Sequence, residues 1–171
     1  QVNVAASKIV KGMPMRGGTN APSGLFLATD SLIRVSFNAQ AAANYWSYDI
    51  VSSQISIMSS NAVVEMDGTF FWMGVDRFYA YNGQVTVVPN DKNINWLFDN
   101  INYEQRQKVW ATKIPRYNEI WFFYPRGTAT ECTDAIIYNV KDKLWYDAGQ
   151  AVGAQRSCGY TTELFPTPIW A

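Results

Sequence analysis

Short apolar runs rich in aromatic and β-branched residues, cut apart by Gly, Asn and Asp, set the pattern of this chain. The clearest segment covers residues 63–88. Val63-Val64-Glu65-Met66 reads as a strand, Asp67-Gly68 as a two-residue hairpin turn, and Thr69-Phe70-Phe71-Trp72-Met73 as an aromatic strand. Gly74-Val75-Asp76 turns the chain again. Residues 77–81 make a third strand, Asn82-Gly83 a second type I′ signal, and residues 84–88 a fourth strand. Asp-Gly and Asn-Gly suit such turns because both central positions need φ > 0. Four strands joined by tight turns form an antiparallel meander of blade size.

A second such unit spans 108–148, with strands predicted at 108–113, 119–124, 134–140 and 144–146. Alternation places Ile137 and Asn139 on one face of its third strand and Ile136, Tyr138 and Val140 on the other. A weaker unit precedes both, with strands at 24–29, 31–37 and 45–51. Trp46, Trp72 and Trp121 fall in successive units, and their spacing fits propeller repeats of about 40–50 residues. Between the two clear units, Ile94, Leu97, Phe98 and Ile101 have helical spacing after Asn90 and Asp91 as candidate caps. Asn102 and Gln105 then have capping-box spacing for a short second turn. This stretch is expected to be a helical connection lying over the sheet.

The predicted fold class is therefore all-β, with antiparallel four-stranded meanders resembling β-propeller blades and a short helical insertion near 91–107. The predicted division is an extended arm or loop over 1–22, a partial blade over 23–62, a blade over 63–89, a helical connection over 90–107, a blade over 108–149 and the start of a further unit over 150–171. The arm shows little periodicity beyond Ile9-Val10 and carries Lys8, Lys11, Arg16 and Gly17-Gly18. Aromatic strands with two apolar faces admit a sugar platform or a sheet buried on both sides, and the second is the commoner meaning. Phe71, Trp72, Tyr79, Trp121, Phe123 and Trp145 are accordingly assigned to the core.

Composition supports a folded chain. Of 171 residues, 48% are hydrophobic and 15% aromatic, enough apolar surface for a core. Only 16% are charged, against about 25% in a typical domain. Such a surface suits burial against other chains. Acidic and basic residues balance at 14 each, so no global basic field draws the chain to nucleic acid or anionic lipid. No apolar run is long enough for a membrane-spanning helix. The two ends read as cuts inside a longer chain.

The sequence offers little chemistry. Histidine is absent, which removes the commonest general base and metal ligand. Cys132 and Cys158 match no zinc or redox spacing and are expected to be inert thiols. Asp30, Asp67 and Asp76 all fall at turns, where Asp is favoured for backbone reasons; a glycosidase-like carboxylate pair is the competing reading. No catalytic residue, metal or cofactor is assigned, and the chain is expected not to be an enzyme. Arg106, Lys108, Lys113, Arg116 and Arg126 cluster loosely around the second large unit, with Lys113 and Arg116 in one turn and Arg126 in another. They are candidates for a contact with DNA or an acidic neighbouring subunit, against a solvated rim.

Residues 64–83, residues 107–125, Tyr138-Asn139-Val140 and Leu144-Trp145-Tyr146-Asp147 resemble virion proteins of tailed bacteriophages. The likeness is to the propeller-bearing tail hub, nozzle or DNA-exit plug proteins of short-tailed phages, and it covers roughly residues 23–149. It implies a structural component of the virion, placed in the tail or head-to-tail connector. The implied partners are a homo-oligomeric ring and other virion proteins (portal, adaptor or tail), with transient contact to DNA. It carries no catalytic residues. The rival reading is a carbohydrate-binding receptor-recognition β domain using Trp46 or Trp121.

Overall fold

The protein is represented by a computed structural model that describes residues 7–15, 23–41, 44–90, 94–150, 155–162, 164–165 and 167–171. The first sheet contains β1 (Ile9–Met15), β2 (Ser23–Ala28), β3 (Leu32–Phe37) and β4 (Trp46–Ser52). The second contains β5 (Val63–Met66), β6 (Thr69–Met73), β7 (Phe78–Tyr81) and β8 (Val85–Val88). Helix α1 (Ile94–Asn100) and a 3-10 turn (Tyr103–Lys108) lead to the third sheet. That sheet holds β9 (Trp110–Ile114), β10 (Glu119–Tyr124), β11 (Asp134–Asn139) and β12 (Leu144–Gln150). A two-stranded sheet of β13 (Gly159–Tyr160) and β14 (Ile169–Trp170) follows. All pairs are antiparallel, and in each sheet the strands lie in chain order. The all-β class with a short helical insertion is the observed one.

Side-chain alternation decides how the sheets stack. In the second sheet Phe70 lies beside Tyr81 and Trp72 beside Tyr79. These rings pack with Leu25, Leu27 and Leu32 of the first sheet. The opposite face carries Phe71, Met73, Phe78 and Ala80, which meet Ile120, Phe122, Ile136 and Tyr138 of the third sheet. The second sheet is therefore dry on both faces, which explains why β6 and β7 lack polar alternation. On its far face the third sheet presents Trp110, Phe123 and Ala135, where Cys132 of the loop before β11 and Trp170 of β14 pack. Each such large side chain contributes about 1.5–3 kcal/mol on burial.

The first strands of all four sheets line one groove of about 310 Å³, with Lys11 from β1, Val63 from β5, Ala111 from β9 and Gly159 from β13. Asn61, just before β5, bridges in parallel to Trp110 of β9. The last strands lie farthest from this groove in strand order, and β4 and β12 are largely exposed. Helix α1 packs against the second and third sheets. Leu97 and Phe98 enter the core between the second and third sheets, with Ile101 just beyond. The Ile94 side chain and Asp91 lie outside what is described. Asn102 caps the 3-10 turn by accepting from the Glu104 N–H at 3.2 Å, and it donates to the Ala129 carbonyl at 3.0 Å.

Two expectations are corrected. The segment assigned to an arm contains β1, which pairs with β2 along its length and completes the first sheet. Lys11, Gly12 and Pro14 hide it in the sequence. Pro14 is tolerated because β1 is an edge strand. At Gly12 a β-carbon would lie 2.9 Å from the Phe26 ring, so glycine lets that ring cross the strand. The rest of the predicted arm, residues 1–6 and 16–22, lies outside the described residues. The second correction concerns Asn82-Gly83. Gly83 has φ 120°, but Asn82 is not among the positive-φ residues, so this loop is not type I′. Residues 82–84 form the connection instead. Asp67 (φ 50°) and Gly68 (φ 80°) do form the expected turn.

Candidate functional site

The five candidate cations do not converge. Lys108 precedes β9 and Arg126 follows β10, so these two sit at one end of the third sheet, with Arg106 in the adjoining 3-10 turn. Lys113 and Arg116 flank the turn between β9 and β10, at the opposite end. The six residues of β10 separate the groups by about 20 Å.

Most of these charges are also spent within the chain. Lys108 pairs with Glu131. Lys113 reaches across to Glu65 of the second sheet at 3.4 Å. Arg126 pairs with the buried Asp134 at 3.5 Å, and its guanidinium lies 4.6 Å from the centre of the Trp96 ring. Arg106 and Arg116 are exposed and have no ion pair among the described residues. Arg116 faces a shallow cavity of about 340 Å³ with Ile114, Thr161 and Phe165.

Of the predicted core aromatics, Phe71, Trp72, Tyr79 and Phe123 are buried. Trp121 and Trp145 are half-buried. Trp145 packs on Phe78 at 4.5 Å and donates its Nε1–H to the Pro89 carbonyl at 2.7 Å. Trp121 packs beside both Phe123 and Trp170 and donates its Nε1–H to the Glu119 carboxylate at 2.9 Å. Trp46 is exposed, 5.0 Å from the Phe37 ring.

The carboxylates stand at turns. Asp67 and Asp76 flank opposite ends of β6, a separation of about 17 Å. Paired glycosidase carboxylates stand no more than about 10 Å apart. Asp76 is engaged by Arg77 at 2.7 Å. Asp30 accepts from the Ser31 hydroxyl at 2.5 Å, and this bond chiefly holds its carboxyl below the ordinary range. No group of three or more His, Cys, Asp or Glu suited to a metal occurs among the described residues. Both cysteines are free. Burial, and then the charge of Glu131, push the Cys132 thiol up to about 12, and it donates to the Lys108 carbonyl at 3.1 Å.

One surface escaped the sequence reading. On the side of the first sheet turned away from the second, the register sets Phe26 beside Ile33 and Ile33 beside Ile50. In the next rows Val35 lies beside Tyr48, and Phe37 beside Trp46. Every side chain in these rows is apolar or aromatic. Trp46 is 49% exposed, Tyr48 40% and Ile50 50%, so nothing described covers the outer part of this face. The signal is the alternation Trp46, Tyr48, Ile50 against Ser47, Asp49. Asp49 points to the other side, where it pairs with Arg34 at 3.3 Å.

No protein-family model and no curated protein matches this chain. No helix among the described residues is long and apolar enough to cross a membrane.

Proposed function

We propose that this chain is a structural component of a tailed-phage virion, part of a tail hub, nozzle or head-to-tail completion protein around the DNA exit channel. In this reading the sheets are blades of a propeller and the protein is not an enzyme. The observation that carries the rigid-wall role is the second sheet, whose two faces are both filled by aliphatic and aromatic side chains of its neighbours. Aromatic burial on both sides makes a stiff wall, and the sparse charge leaves surfaces suited to subunit contact. The virion placement itself comes from the resemblance of residues 64–83 and 107–125 to phage tail proteins.

The partners in this reading are further copies in a ring and the portal, adaptor or tail proteins. Any transient DNA contact falls to Arg106 and Arg116, the candidate cations without an acidic partner among the described residues. The test is immunogold labelling of purified particles with antibody raised against this chain. Label at the tail or connector is expected. Particles free of the protein, with all of it in the unassembled fraction, would contradict the proposal.

A second reading, a carbohydrate-binding receptor-recognition domain, is favoured by Tyr45 and Trp46, which stand exposed beside Phe37. Glycan-array binding that disappears in Trp46→Ala would support it over the wall.

A further inference from the structure

Asn82-Gly83 is the only Asn-Gly pair in the chain, and Asp67-Gly68 the only Asp-Gly pair. Both pairs are open to one reaction, in which the glycine nitrogen closes onto the side-chain carbonyl carbon of the residue before it. Glycine favours this closure because it puts no side chain in the way and leaves its backbone free to turn. The nitrogen must lose its proton to attack, so a hydrogen bond that holds the N–H opposes the reaction.

The fold treats the two turns differently. Asp67 and Gly68 are fixed at positive φ in a two-residue turn, and the Gly68 N–H donates to the Glu65 carboxylate at 2.7 Å. Deprotonating Gly68 would break that charge-assisted bond. Residues 82–84 form a wider loop between Tyr81 and Val85, which face each other across β7 and β8. Asn82 and Gly83 are both exposed, and neither the Asn82 side chain nor the Gly83 N–H has a hydrogen-bond partner among the described residues. Nothing lies within 4 Å of where a β-carbon on Gly83 would stand. Asparagines elsewhere are more restrained. The Asn38 side chain accepts from the Gln40 N–H at 3.0 Å, and the N–H after Asn61, that of Ala62, donates to the Ser59 carbonyl at 3.3 Å.

We propose that Asn82 is a site of spontaneous covalent modification, deamidating through a cyclic imide in the folded protein while Asp67 is protected. The Gly83 nitrogen gives its proton to solvent base and attacks Asn82 Cγ. The N–Cγ bond forms, the Cγ–Nδ2 bond breaks, and the amide nitrogen takes up a proton and leaves as ammonia. Water then opens the imide. Cleavage of the bond to Cγ leaves aspartate in place of Asn82. Cleavage of the bond to the main-chain carbonyl carbon leaves isoaspartate, with the chain running through the former side chain. Water is the only co-reactant, and nothing is oxidised or reduced. Either product adds a negative charge to a chain whose 14 acidic and 14 basic residues otherwise balance. That charge appears on the exposed turn between β7 and β8. The chemistry is independent of what the protein binds.

The test incubates the purified chain in mildly alkaline buffer, folded and in urea. Peptide mass spectrometry locates each conversion, and enzymatic methylation counts isoaspartate. In the folded chain Asn82 should convert at close to its rate in urea, and at least tenfold faster than any other asparagine among the described residues. Asn82→Gln should abolish the acidic band that grows on isoelectric focusing of the wild type. The position is exposed and its φ is not positive, so glutamine fits there. Glu65→Ala, checked for folding by circular dichroism, frees the Gly68 N–H and should raise isoaspartate at Asp67 severalfold. Conversion of Asn82 confined to the urea sample would overturn the proposal. So would an acidic band that persists in Asn82→Gln, or isoaspartate at Asp67 that Glu65→Ala leaves unchanged.

Discussion

Trp72 shows how much one residue carries here. It is fully buried, stacks on Tyr79 at 5.2 Å and donates its Nε1–H to the Ser56 carbonyl at 2.9 Å. Trp72→Ala should cost about 3–5 kcal/mol of stability, measured by urea unfolding. A loss under about 1 kcal/mol would place that ring outside the core. The two thiols should differ sharply. Cys158 is exposed and should react with an alkylating reagent in the folded state, whereas Cys132 should react only after unfolding. The same burial makes stability depend on pH. The thiol ordinarily ionises near 9 and is pushed up to about 12 in the fold. Above about pH 9 the unfolded chain loses this proton while the folded chain keeps it. Stability from this group is thus complete at lower pH and falls by about 1.4 kcal/mol per pH unit beyond. Urea unfolding at pH 9 and 10 should show that fall, and Cys132→Ala should flatten it. Which aromatics would be buried was only partly legible. Trp72 and Trp121 both sit in apolar strands, yet Trp121 keeps an edge open because its cover is one ring of a two-residue strand.

Among the elements, legibility followed turn chemistry and apolar density. The strands of the second sheet were readable because Asp67-Gly68 sets a two-residue turn and both faces of β6 and β7 are apolar. Gly68→Val should destabilise by about 1–3 kcal/mol, since φ is 80° there and a β-branched residue is strained in that region. Thermal unfolding would show it. Strand β1 was not readable, because edge position and ring packing license a glycine and a proline that a central strand would exclude. The helical insertion was readable from Leu97, Phe98 and Ile101, all buried. Its anchoring was not. Asn102 and Gly127 tie it to the loop after β10, Gly127 by donating to the Asn100 carbonyl at 2.7 Å. These contacts join residues far apart in the chain and leave no local pattern. The candidate basic residues stand at the two ends of the third sheet, as their separate turns imply, with the length of β10 between them.

In the whole molecule the second sheet is sealed between the first and third, so the sheets should unfold as one unit. Repeat spacing suggested successive units, but their contact faces were not visible in it. Native-state hydrogen exchange tests this most directly. The amides of β6, β7, β10 and β11 should exchange only through global unfolding, with one common free energy. Those of β4 and β12, at the outer edges, should open at lower cost. Rapid exchange across β6 and β7 while β10 and β11 stay protected would mean that the second sheet is not held between its neighbours, and would contradict the account.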